Sequence, residues 1–258
     1  MNNKRLGIII LIILMGTPFS SLSADVIVLR TAAQESYPKY YKLGDQLMGG
    51  ICVDIMQAIE NENPKIKFAG YQEFLPFKRL QAYLELGQLD VFFGFKKTEI
   101  RVQSYAFVDI PLYEINYVVA IRTDSKVNIK SFDDIRALGK KGTILTIYGT
   151  AASRFLHKQG GLFVDDAAKT PLVALKKLKS KRGNFVFYHD LGLKSLIKRG
   201  KLAREIKILP VSFSTYYHYV AFQKNTSLKT FNQVKSTLEK LNVNGELSRI
   251  RRKYSLTE

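Results

Sequence analysis

Short apolar runs with strand periodicity alternate with amphipathic runs of helical periodicity along most of this chain, and no other feature limits its fold as much. Val26–Thr31 opens as a strand. Asp54–Asn61 has Ile55, Ala58 and Ile59 on one face and stops at Asn63-Pro64, as a helix does. Lys65–Tyr71 alternates as a strand, Phe77–Leu86 repeats apolar residues at helical spacing up to Gly87, and Leu89–Phe95 is an aromatic strand. Further strands are expected at Tyr113–Ile121, Thr143–Ile147, Asn184–Tyr188, Ile206–Leu209 and Tyr216–Phe222. Helices are expected to start at Ser131, capped by that serine with Asp134 three residues on, and to run over Ala151–His157, Pro171–Ser180 and Leu191–Lys198. Two more close the chain at Ser227–Leu241 and Glu246–Tyr254, separated at Asn244-Gly245. The alternation predicts an α/β fold of parallel-type sheets flanked by helices. No repeat or low-complexity linker interrupts it, so a division into lobes would have to use short crossing strands rather than a tether.

The amino terminus adds an address. Lys4 and Arg5 precede an uncharged run, Leu6–Met15, which is too short for a bilayer needing ~20 apolar residues. It has the length of the apolar part of a secretion signal, and small residues follow up to Ser23 and Ala24. Residues 1–24 are therefore expected to be removed on export to a periplasm. Cys52, the single cysteine, lies far from the cut, so neither a lipid anchor nor an internal disulfide is expected. No later apolar run is long enough for stable membrane insertion. The chain has 40 Lys and Arg against 22 Asp and Glu, a formal charge of +18. Such a field draws anions; its other explanation is a lysine-rich surface kept in solution by repulsion. For an exported chain, nucleic acid is not an expected partner.

Enzyme signatures are sparse. The three histidines, His157, His189 and His218, form no metal-ligand spacing, and one cysteine cannot complete a zinc site. No nucleophile elbow, phosphate loop or dinucleotide fingerprint is present. No cofactor, metal or catalytic residue is assigned, although a carboxylate or tyrosine can catalyse without a motif.

Several stretches together resemble the family 3 extracellular solute-binding proteins, the polar amino-acid type of periplasmic binding protein. They are Gly50-Ile51-Cys52-Val53-Asp54-Ile55, Leu75–Arg79 running on to Leu86–Asp90, Thr98–Arg101, Phe107–Tyr113, and Asn244–Leu247 with Ile250 and Lys253-Tyr254. Ser131–Ile135 and Tyr148–Thr150 also fit. The resemblance spans nearly all of residues 25–258. It implies a type II two-lobed binding protein, each lobe a mixed sheet flanked by helices, with the ligand in the cleft between. Lobe one would comprise 25–114 plus 216–258, and lobe two 115–215. The implied function is capture of a small polar solute, anionic or zwitterionic, by a monomer that serves an ABC permease or a sensor. Two other functions remain on the same fold: a cyclohexadienyl-dehydratase-like enzyme, and a module binding an anionic polymer or membrane surface.

By the same resemblance Arg101 would hold a ligand carboxylate, for which a guanidinium fork is suited, and Asp190 would meet a ligand amine. Asp190 also has the place of a helix N-cap. Gly149, Thr150 and Ala151 sit where a strand enters a helix, so their N–H groups suit an anion or an ordinary turn. Tyr37 and Phe77 match aromatic pocket walls; Phe77 fits a core equally well. Phe95-Lys96-Lys97 departs from the small hydroxyl residues usual there and brings two lysines beside Arg101. Either Lys96 faces a ligand with extra negative charge, such as a dicarboxylate or phosphate, or both lysines face water. The lysines around Leu172, Leu175 and Leu178 read as the wet side of a helix, and Cys52 as a buried small residue. Mass spectrometry of the exported protein is expected to find an amino terminus at Ala24 or Asp25.

Overall fold

The computed structural model describes residues 25–45 and 47–254. The signal segment expected at 1–24 lies outside the described residues. Two small sheets accompany one large one. Strand β1 (Ile27–Arg30) pairs in parallel with β4 (Ile66–Ala69), and β2 (Tyr41–Lys42) forms an antiparallel ribbon with β3 (Met48–Gly49). The large sheet has the order β5 (Val91–Lys96), β11 (Ser214–Gln223), β6 (Tyr105–Arg122), β9 (Phe185–His189), β7 (Ile144–Ile147) and β8 (Val164–Ala168), with β10 (Ile206–Ile208) also on β6. Parallel pairs (β7 with β8 and β9) and antiparallel pairs (β6 with β9, β10 and β11) make it a mixed sheet.

The helices are α1 (Ile51–Glu62), α2 (Phe77–Glu85), α3 (Glu99–Ser104), α4 (Phe132–Ala137), α5 (Ala151–Gln159), α6 (Pro171–Lys179), α7 (Asp190–Arg199), α8 (Leu228–Val243) and α9 (Glu246–Lys253). None of the described helices is long and apolar enough to cross a membrane. The expected cap of α4 is a full capping box: Ser131 Oγ accepts from the Asp134 N–H, and the Asp134 carboxylate accepts from the Ser131 N–H. Leu172 is exposed beside the lysines of α6, whereas Leu175 and Leu178 are buried.

Three apolar clusters fill the molecule. The first gathers α1, α2, α8 and α9 around β1, β4, β5, residues 105–115 of β6 and residues 220–222 of β11. The other two lie on opposite faces of the far end of β6. Val118 and Ala120 join α6 and α7, while Tyr117, Val119 and Ile121 join α4 and α5. This is the period-two alternation of a strand buried on both faces. One 18-residue strand thus belongs to every core, spanning about 60 Å at roughly 3.3 Å per residue.

The crossing strands are therefore long rather than short, and the expected start of β6 at Tyr113 is corrected to Tyr105. Pro111 accounts for the difference, because a proline demotes a run read as a strand. Here it falls where β6 and β11 slip register, between the pairs His218–Tyr113 and Val220–Val108. No ladder N–H is needed in that stretch. The loop expected up to Gly50 holds the β2–β3 ribbon. Strand β8, Val-Asp-Asp-Ala-Ala at the sheet edge, and the six-residue α3 have no periodicity to reveal them.

Gly94 marks the tightest point of β5. Its φ is +82°, and a Cβ there would meet Lys39 Cδ at 2.4 Å, Tyr113 Oη at 2.8 Å and Cys52 Sγ at 2.9 Å. Positive φ and overpacking act together, so Gly94→Ala is expected to lose about 2 kcal/mol or more of unfolding free energy in urea titrations.

Candidate functional site

The cleft forms where strand ends from different cores converge. Lys96 is the last residue of β5, Tyr117 lies within β6, Tyr188 and His189 end β9, Tyr216 and His218 lie within β11, and Thr150 and Ala151 start α5. With Lys39, Phe77, Phe95 and Arg101 they line a cavity of about 80 Å³. A larger concavity of about 370 Å³ between α1 and the α8–α9 corner opens to solvent and is lined by Ala58, Asn61, Glu62 and residues of those helices.

Arg101 sits at the centre of the chemistry. Thr98 caps α3 by accepting from the Arg101 N–H, which fixes the side chain's origin. The residue is 6% exposed. Its guanidinium lies 4.1 Å from the Phe95 ring centroid and 5.3 Å from that of Phe77, and Nη1 donates to the Lys96 carbonyl at 2.9 Å. Nη2 is buried and has no partner among the described residues. Burial, then repulsion from Arg154, draws its pKa down to about 10, so the group stays charged at neutral pH.

The end of β5 separates the two adjacent lysines. Lys97 points to the surface and pairs with Asp109 at 2.7 Å. Lys96 points into the cleft, its Nζ 4.0 Å from the Tyr216 ring centroid, 5.2 Å from Tyr117 and 6.0 Å from Phe155. These rings offer their negative faces to the ammonium. Burial and then the Arg101 charge lower its pKa.

A third cation, Lys39, is one that the sequence does not announce. It is 6% exposed, donates to Gln34 Oε1 and to the Gly94 carbonyl at 3.2 Å, and lies 5.0 Å from the Phe92 ring centroid. Burial, followed by repulsion from Arg101, lowers its pKa to about 8. Lys39, Lys96 and Arg101 form no ion pair with any described carboxylate. The two histidines of the cleft add no charge at neutral pH. Burial and then Lys39 pull His189 down to about 3, and burial and the same cations pull His218 well below its ordinary value.

The cavity thus brings together five of the sequence-derived candidates: Phe77, Lys96, Arg101, Thr150 and Ala151. The other three stand outside its lining. Tyr37 packs on Tyr41 at 4.9 Å, with the Arg199 guanidinium 5.7 Å from its ring centroid. Gly149 lies one residue short of the wall, its carbonyl accepting from Arg154 at 3.1 Å. Asp190 is the first residue of α7, and its cap is His189, whose Nδ1 accepts from the Gly192 N–H at 2.9 Å. Oδ1 of the Asp190 carboxylate accepts from the N–H groups of Leu191 at 2.9 Å and Asn116 at 3.3 Å, and Oδ2 lies 3.5 Å from Asn116 Nδ2. Sequence reasoning passed over Lys39, Tyr117, Tyr188, His189, Tyr216 and His218. Alternation along Tyr216–Tyr217–His218 carries a signal for two of them, since residues i and i+2 share a face.

Residues 29–257 match the profile of the bacterial extracellular solute-binding proteins, family 3, and the chain belongs to that family. Solved structures share the fold. The substrate-binding protein of an amino acid ABC transporter is 24% identical, over 90% of this chain and 100% of the other, with a TM-score of 0.71. An arginine-, lysine- and histidine-binding protein from Geobacillus stearothermophilus is 22% identical over 91% and 96%, with a TM-score of 0.69. A histidine kinase sensor domain similar to periplasmic binding proteins is 18% identical over 89% and 96%, with a TM-score of 0.74. Among curated protein sequences there is no match.

The folded Lys39, with a pKa of about 8 against an ordinary 10.5, holds fewer protons than its unfolded counterpart between those values. Unfolding free energy therefore rises with pH across that window, and the buried charge opposes folding fully below pH 8. Urea titrations from pH 7 to 9, which stop before Cys52 and the buried tyrosines have largely titrated in the unfolded chain, are expected to show this rise in the wild type and a smaller one in Lys39→Met.

Proposed function

We propose that this chain is a periplasmic solute-binding protein that closes two lobes on a small polar solute, anionic or zwitterionic, and delivers it to an ABC permease. One observation carries this reading. A guanidinium that is 6% exposed faces the cleft with one nitrogen unpartnered. A carboxylate or phosphate oxygen on that nitrogen removes the penalty of a buried, unsatisfied charged donor. A solved structure with this fold is the substrate-binding protein of an amino acid ABC transporter, which agrees with the proposal.

The proposed lobes are 25–114 with 216–258, and 115–215. The separation of the apolar clusters near residue 116 of β6 supports that boundary, as does the position of Tyr216, which packs against two of them. Closure would be a hinge motion about β6 and β11 where they pass between the clusters, near the Asn116–Thr215 pair. Export by the amino-terminal segment would place the protein with its permease.

A thermal-shift screen of amino acids, dicarboxylates and small phosphates on the mature protein tests the proposal. A ligand at 100-fold its dissociation constant should add about 2.7 kcal/mol, and Arg101→Ala should abolish the shift. If no member of the panel stabilises the protein and Arg101→Ala behaves as wild type, solute capture in this cleft is wrong.

A further inference from the structure

We infer that the cleft is built for a compact dianion and excludes amino acids, because Lys96 already occupies the place where a ligand's ammonium would bind. The inference rests on the cleft being the solute site.

The first argument is charge balance. Lys39, Lys96 and Arg101 line one cavity, and neither Asp nor Glu is among its lining residues. Asp190, the acid best placed to meet an amine, lies outside that lining, with its Oδ1 on two backbone N–H groups and its Oδ2 3.5 Å from Asn116 Nδ2. A zwitterion would satisfy Arg101 with its carboxylate but bring a fourth cation among lining residues that include no carboxylate. A dicarboxylate or a phosphate brings two negative charges, which three cations receive without a surplus of like charge on the ligand.

The second argument is the aromatic cage. Tyr117, Tyr216 and Phe155 surround the Lys96 ammonium with ring centroids at 5.2, 4.0 and 6.0 Å. Such a cage is a receptor for a cation. Tyr117 and Tyr216 come from the two crossing strands and Phe155 from α5. Here the protein supplies the cation itself, at the end of β5. A ligand ammonium would have to displace a tethered lysine whose effective local concentration is far higher than its own. Filling the cage also turns it from a cation receptor into a rigid holder for a positive charge, which orients the lysine toward the anion beside the unpartnered Arg101 Nη2.

Matched ligand pairs that differ only in the ammonium provide the test: succinate with aspartate and glutarate with glutamate, alongside inorganic phosphate and arginine. Isothermal titration of the mature wild-type protein at neutral pH is expected to show binding of at least one dianion. A dicarboxylate that binds should do so at least about tenfold more tightly than its amino counterpart, a difference of ~1.4 kcal/mol. If phosphate alone binds, the dianion is a phosphate. Lys96→Met keeps the stem in the cage without its charge, and should lose about tenfold or more in dianion affinity. Aspartate, glutamate or arginine binding as tightly as the dianions would overturn the inference while leaving solute capture in place. No binding of any probe to protein shown folded by circular dichroism would overturn both.

Discussion

The antiparallel pairing of β6 with β11 is the interaction on which the rest of the structure depends. The two strands run together from Tyr117–Ser214 to Tyr105–Gln223. Every apolar cluster is anchored on residues of β6. Because both bodies share the same strands, the floor of the cleft is made of ladder-bonded backbone. The side chains that line it, Tyr117, Tyr216 and His218, inherit their positions from that ladder. The register slip next to His218 is the one interruption in this pairing, and it adjoins the site.

A second constraint is electrostatic. Three cations are withdrawn from water without a carboxylate beside them, a costly arrangement in a low-dielectric space. The protein offsets part of that cost internally. Rings take one face of each cation: Phe95 and Phe77 for Arg101, Tyr216 and Tyr117 for Lys96, and Phe92 for Lys39. Carbonyl oxygens of Gly94 and Lys96 take further donors. Arg101 Nη2 is left without a partner among the described residues.

Much of this was legible in the sequence where periodicity or a motif was at work. The α/β alternation gave the fold class, the Ser131 cap gave the start of α4, and Thr98–Arg101 pointed to the arginine of the cleft. Adjacent Lys96 and Lys97 could not be told apart by residue type: Lys96 ends β5 with its ammonium over Tyr216, and Lys97, just past the strand, pairs with Asp109. Lys39 was invisible because its burial depends on contacts with Gln34 and Gly94, the latter 55 residues away. Asp190 has the place of a helix N-cap in the sequence, but the cap is His189 and Asp190 is the first helical residue. Its carboxylate is engaged by Asn116 from another strand, a pairing no local pattern encodes. The stretch of β6 before Tyr113 is hidden for a related reason, since a bulge that tolerates Pro111 is a property of two strands.

The crowded cations have a consequence for timing. In the proposed closure of an empty cleft, Lys39, Lys96 and Arg101 would stay together with no carboxylate among the lining residues. The same charges that would attract the solute would therefore act against closure of the empty protein. A permease that recognises the shut form would then meet few unloaded carriers, so cargo status would be written into shape by electrostatics alone.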